Sequence, residues 1–171
     1  MTTTITTTDR LIAELTQEAA ITRRVLERVP DQRLGWKPHP KSMSLGELAL
    51  HVAQIPGGLA EFFRESRREL PSFAVRPQAA SLEQILIAHE ESHRAARAQL
   101  AAWTEDDLME EWTMTRGENP VLVLPRMDMV RSVMFNHLYH HRGELIVYLR
   151  LLDVSVPPVY GPSADESPFE Q

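Results

Sequence analysis

The sequence predicts an all-α fold: a four-helix bundle with a small β-hairpin between helices three and four and an extended C-terminal tail. Three observations lead there. Four segments repeat apolar residues at three- and four-residue steps, the stretches between them carry proline and helix-capping residues, and a single stretch alternates like a strand pair. With no internal repeat and no linker-like stretch, residues 1–171 read as one domain, long enough to bury a single core.

In the first helix, expected over about 8 to 29, Leu11, Ile12, Leu15, Ala19, Thr22, Leu26 and Val29 form the stripe, after a Thr-rich, cappable start and before Pro30. The loop "PDQRLGWKPHPKS" follows, and its prolines forbid further helix. "SLGE" opens the second helix, with Ser44 as cap and Glu47 reaching back to it. Its stripe is Leu45, Leu48, Val52, Ile55, Leu59 and Phe62, and "PGG" at 56 to 58 predicts a kink or a break inside it. The third helix opens on "SLEQ" at Ser81 and should end near Trp103, its stripe running Leu82, Ile85, Leu86, His89, His93, Ala96 and Leu100. "EEWTMTRGENPVLVLP" alternates around a glycine-containing turn and reads as a hairpin capping one end of the bundle. The fourth helix is expected from about Arg126 to Leu152, with Val130, Met134, His137, Leu138, His141, Leu145, Tyr148 and Leu152 inward. The tail "VSVPPVYGPSADESPFEQ" is too proline-rich for helix and should lie along the surface.

An apolar fraction of 43% and a charged fraction of 25% are those of an ordinary globular chain. A formal charge of -6, with no basic stripe, argues against nucleic acid as a partner. No apolar run is long enough to span a membrane, and "MTTTITTTDR" does not read as a secretory signal, so the expected location is the cytoplasm. With no cysteine, any metal must be held by histidine and carboxylate, and any reacting sulfur must come from another molecule.

The histidines carry the chemistry. His137 and His141, four apart, stand one turn above each other on the expected inner face. Imidazoles there need partners, and a shared Zn, Ni, Cu or Fe ion would supply one. His51, three after Leu48 and four before Ile55, points into the same interior from helix two, which would make a three-nitrogen site with a coordination position left for chemistry. Spacing alone leaves a rival pair, because "HEESH" sets His89 and His93 at the same step on helix three. A single inward histidine is also common as a hydrogen-bonded core residue. His140 reads as flanking and His39 as a surface residue of the proline-rich loop. Glu144, three after His141, either acts at the site, as proton acceptor, orienting group or ligand, or is a solvated carboxylate near Arg142 or Arg150. Gly143 inside a helix predicts close approach of another backbone, with Arg142 anchoring a carboxylate across it; Trp36, Tyr139 and Tyr160 read as packing or interface residues.

The order of "WKPHP" (36 to 40), "SLGELALH" ending in His51, "NHLYHHRGELIVYLRLL" and "VPPVYGPSADE" resembles the DinB-like family of small helical metalloproteins, over most of the chain. That resemblance implies a four-helix bundle, a homodimer, and one divalent metal ion on His51, His137 and His141, with no ligand role for His89 or His93. Zn or Ni is the expected metal, with Fe or Mn as alternatives. It further implies a metal-dependent S-transferase or detoxifying enzyme using a low-molecular-weight thiol on a small-molecule substrate. The alternatives are a metal-dependent hydrolase, with Glu144 as proton acceptor, and a non-enzymatic stress-induced metal-binding or interaction protein.

Overall fold

The structure is a computed structural model and describes residues 5–72 and 76–169. The first four residues of the Thr-rich leader and the last two of the tail lie outside the described residues. The elements in chain order are α1 (Thr7–Leu26), a 3-10 turn (Asp31–Arg33), α2 (Leu45–Phe62), β1 (Arg67–Glu69), α3 (Leu82–Ala102), α4 (Glu105–Met109), β2 (Glu111–Arg116), β3 (Asn119–Pro125), α5 (Arg126–Met129), a π-helical segment (Val130–Phe135) and α6 (Asn136–Leu151). The protein is mostly helical with a small three-stranded sheet, so the all-α expectation needs amending: the expected hairpin, β2 and β3, gains a parallel edge strand, β1.

Capping residues set the helix starts. Thr6 and Asp9 form a reciprocal box at α1, and Ser44 and Glu47 form the expected one at α2. At α3 the Ser81 hydroxyl accepts from the Gln84 amide, but the Gln84 side chain accepts from the amide of Ala80, so the box is only half made. α1 ends at Leu26, three residues before the expected end, although Val29 is still buried.

α2 is the central helix, with Leu45, Leu48, Ala49, Leu50, Val52, Ala53 and Ile55 all buried, and it packs mainly against α3 and α6. Of the kink or break expected at "PGG", the break does not occur: helix runs through Pro56 to Phe62. The neighbouring helix explains why. The amide of Gly57 donates to the Ser92 hydroxyl of α3 (2.8 Å), so a backbone donor beside the proline is satisfied from outside the helix. A Cβ on Gly57 would lie 2.7 Å from Ser92 Cα, so only glycine permits this approach.

The sheet closes one end, as the hairpin was expected to do. Trp112 of β2 is fully buried against the rings of Phe62 and Phe63, with centroids at 5.4 and 5.3 Å. Buried Arg126 at the start of α5 ties this end to α2, its Nε donating to the Phe63 carbonyl (2.9 Å) and its Nη2 pairing with Glu110 (2.7 Å).

The run expected as one fourth helix is helical from Arg126 to Leu151 but contains the π-helical segment, which ends two residues before His137. The tail has no helix, as expected, yet it is anchored as well as laid on the surface. Val156 is buried, Asp165 accepts from the Val156 amide (2.9 Å), and Tyr160 donates to Glu18 of α1 (3.0 Å). No helix among the described residues is long and apolar enough to cross a membrane.

Candidate metal centre

His51 enters from α2 and His137 and His141 from successive turns of α6. Their rings meet in a triangle, with centroids 5.0 Å apart for His51 and His137, 4.7 Å for His51 and His141, and 4.6 Å for His137 and His141. One ring nitrogen from each lies within 4.8 Å of the other two. The Nε2 atoms of His51 and His137 are 3.2 Å apart. A tetrahedral ion bound at 2.0–2.1 Å requires ligand nitrogens about 3.3 Å apart, so the His51–His137 spacing matches that of two ligands on one divalent cation, and the third imidazole is close enough to join them.

The three histidines are half-buried, which corrects their expected place in the interior. On α6 the fully buried line is Leu138, Arg142, Leu145 and Leu149; His137 and His141 each precede a member of it by one position and stand on its flank. On α2, likewise, Leu50 and Val52 are buried on either side of half-buried His51. The centre therefore sits at the edge of the α2–α6 contact, with one side towards solvent.

Partial burial pushes the His51 and His137 pKa values down to about 4, chiefly by desolvation of the charged form and then by the neighbouring imidazoles. His141 is lowered by the same burial, partly opposed by its bond to Glu144. Neutral imidazole is the form that binds metal, and all three are held in it at neutral pH.

Glu144 stands beside the nitrogen triangle and outside it. Its Oε2 lies 2.6 Å from His141 Nδ1 and its Oε1 lies 3.3 Å from Nε2 of exposed His140. A carboxylate on Nδ1 fixes the tautomer that leaves Nε2 free to coordinate, the usual outer partner of a ligating histidine. No fourth His, Cys, Asp or Glu joins the three nitrogens among the described residues. Three protein ligands and remaining positions for small molecules are the pattern of a reactive site, whereas structural sites are closed by four.

The rival pair does not share this centre. His89 is buried and donates from Nε2 to the Ala19 carbonyl of α1 (3.0 Å), while His93 Nε2 is buried without a hydrogen-bond partner among the described residues. His39 lies in the exposed loop, its Nδ1 accepting from the Lys41 amide (3.2 Å). Gly143 has no close backbone neighbour, against expectation: a Cβ there would meet nothing within 4 Å. The expected carboxylate for Arg142 is present. Glu18 of α1 pairs with it at 2.7 Å, both side chains almost fully buried, with Thr22 accepting at 3.0 Å and the Tyr160 hydroxyl completing the cluster. Tyr139 joins by donating to Glu14 (2.6 Å), so the two tyrosines are polar links between α1, α6 and the tail. Trp36 packs edge-on against Tyr148, as a packing residue should.

Comparison with known proteins agrees with this architecture. YrdA of Bacillus subtilis (strain 168), described as uncharacterized, is 25% identical over 162 residues, covering 94% of this chain and 92% of YrdA. The crystal structure of a DinB-like protein from Bacillus cereus ATCC 10987 superposes with a TM-score of 0.68 at 24% identity, covering 88% of this chain and 95% of that one. The DinB-like protein YjoA of Bacillus subtilis gives 0.67 at 20% identity, covering 88% and 96%. At these identities the two structures support the fold alone. The sequence profile of the DinB family matches residues 1–170, and with that match the chain belongs to the DinB family.

Proposed function

We propose that this protein is a metal-dependent S-transferase, a four-helix bundle in which His51, His137 and His141 hold one divalent ion and a low-molecular-weight thiol is joined to a small electrophile. The reading rests on one observation above all: three neutral imidazoles from two helices converge at an edge of the fold with no fourth protein ligand among the described residues. An all-nitrogen donor set suits Zn or Ni, with Fe next. Such an ion, when bound, lowers the pKa of a coordinated thiol or water and polarises a carbonyl. The chain has no cysteine, so the sulfur must arrive on the small thiol.

The protein's own side chains have separable tasks. His51, His137 and His141 supply lone pairs. Glu144 positions His141 through Nδ1, and the same engagement argues against Glu144 as a free proton acceptor, the role a hydrolase reading assigns to it. The half-buried setting gives a thiol and its partner access from one side.

The test combines elemental analysis of untagged protein with turnover of a panel of electrophiles, each with and without glutathione, cysteine or another small thiol. Stoichiometric metal and thiol-dependent turnover, both lost in His141→Ala, are expected. Turnover that ignores thiol would favour the hydrolase, and metal without turnover would favour the non-enzymatic binding protein.

A further inference from the structure

Two adjoining cavities reach the histidine triangle from the sheet end of the molecule. The nearer, about 240 Å³, is bordered by His51 and His137 together with Gln54 and Ile55. The farther, about 300 Å³, is walled by Leu59, Phe62, Phe63, Leu70, Met114 and Val133, and its polar contact is His137. Gly58, Leu59 and His137 border both, so the two spaces meet at a ligand of the proposed metal. A Cβ on Gly58 would meet nothing within 4 Å, and the bare backbone there leaves this boundary open.

The chemistry of the farther cavity is specific. Among the described residues it has no charged side chain in its lining, and the half-buried Phe62 ring, backed by fully buried Phe63, presents aromatic surface. Its size lies at the small end of ligand pockets, and an uncharged ring gains most in such a space from burial and edge-to-face contact. Among the described residues five parts of the chain build it: the end of α2, the residues after β1, β2, the π-helical segment and α6 through His137. A backbone assembled from so many elements around one histidine, with apolar walls that no side chain among the described residues fills, has the form of a substrate pocket.

We infer that the substrate carries an uncharged aromatic body, which occupies this cavity while its reactive end lies at His51, His137 and His141. The inference deepens the proposed function and rests on it for the position of the reactive end; the pocket itself can be tested separately.

The probe is 4-phenylimidazole, with imidazole as its tail-less reference, titrated into protein carrying 13C-methyl methionine. The Met114 methyl, assigned by Met114→Leu, reports on the cavity with or without metal. In zinc-loaded protein the phenyl probe should shift this methyl saturably and bind roughly 10- to 100-fold more tightly than imidazole, the gain expected for burying one aromatic ring. Val133→Phe, which fills the cavity, should collapse that ratio towards one. Gly58→Leu, at a helical position with free space, should reduce it as well, so the result does not hang on one variant's folding. Equal binding of both probes to the zinc form, with Met114 unmoved, would overturn the inference and leave the metal reading standing. If the protein takes up no metal, a saturable Met114 shift with the phenyl probe would still support the pocket, and its absence would reject it.

Discussion

Replacing Glu144 by alanine should weaken metal binding without unfolding the protein. The 2.6 Å contact from its Oε2 to His141 Nδ1 is a charge-assisted hydrogen bond, and the side chain of Glu144 is 43% exposed, so solvent screens part of its effect. Removing such an outer partner costs roughly 10- to 100-fold in metal affinity, and the exposure places the expected loss near tenfold, equivalent to about 1.4 kcal/mol. Glutamine retains an oxygen that can accept from Nδ1, so Glu144→Gln should lose only a few-fold. Competition against a chromophoric chelator measures both, starting from metal-free protein. Turnover at saturating metal then separates two roles: an orienting carboxylate leaves the rate near wild type once the site is filled, while a proton acceptor does not. A dissociation constant for Glu144→Ala within twofold of wild type would refute the orienting argument.

The remaining predictions concern the fold and its pH dependence. Arg142→Met strands the Glu18 carboxylate in the interior and should cost about 3–5 kcal/mol in chemical denaturation, with the Glu18→Gln, Arg142→Met pair costing less than Arg142→Met alone. Gly57→Ala forces α2 away from Ser92 and should destabilise by about 1–3 kcal/mol, despite alanine's better helix propensity. Ser92→Ala leaves the Gly57 amide without its acceptor and should cost about 1–3 kcal/mol on the same denaturation curves. For metal-free protein, the imidazoles of His51 and His137 protonate at about 4 when folded but at 6.5 when exposed, so the unfolded chain binds more protons between those values. Stability should therefore hold above pH 6.5 and fall as pH drops towards 4, by roughly 1 kcal/mol per unit after halving for solvent exposure. Urea midpoints unchanged between pH 7 and pH 5 would contradict this.

Much of the architecture was legible because it is encoded locally. Ser44 with Glu47 marked the start of α2, and the alternation around Gly117 marked the hairpin. The rest depends on partners distant in sequence. Arg67 to Glu69 has no apolar alternation and becomes a strand through its pairing with Thr113 to Thr115. Pro56 is tolerated within α2 where a hydroxyl from α3 takes up the neighbouring amide. At the site, the four-residue step of His137 and His141 and the phase of His51 pointed to a convergence that the geometry contains. Periodicity places a residue on a face to within about one position, however, and so it could not separate the buried line from the flank where the three imidazoles stand. Nor does spacing distinguish His89, bound to a carbonyl, from a ligand; only the position of α1 decides that.

The wide turn at Val130–Phe135 has a consequence for how the histidine face is aimed. A π-helical turn takes up more residues than an α turn, so the angular phase of the helix before it is uncoupled from the phase after it. The upstream half can keep Arg126 and Met129 seated against the sheet end while the downstream half turns two imidazoles towards α2. Loss of a single residue from that turn would rotate one half against the other by about 100°, and the convergence of the imidazoles on His51 and the seating of Arg126 at the sheet end could no longer be satisfied together.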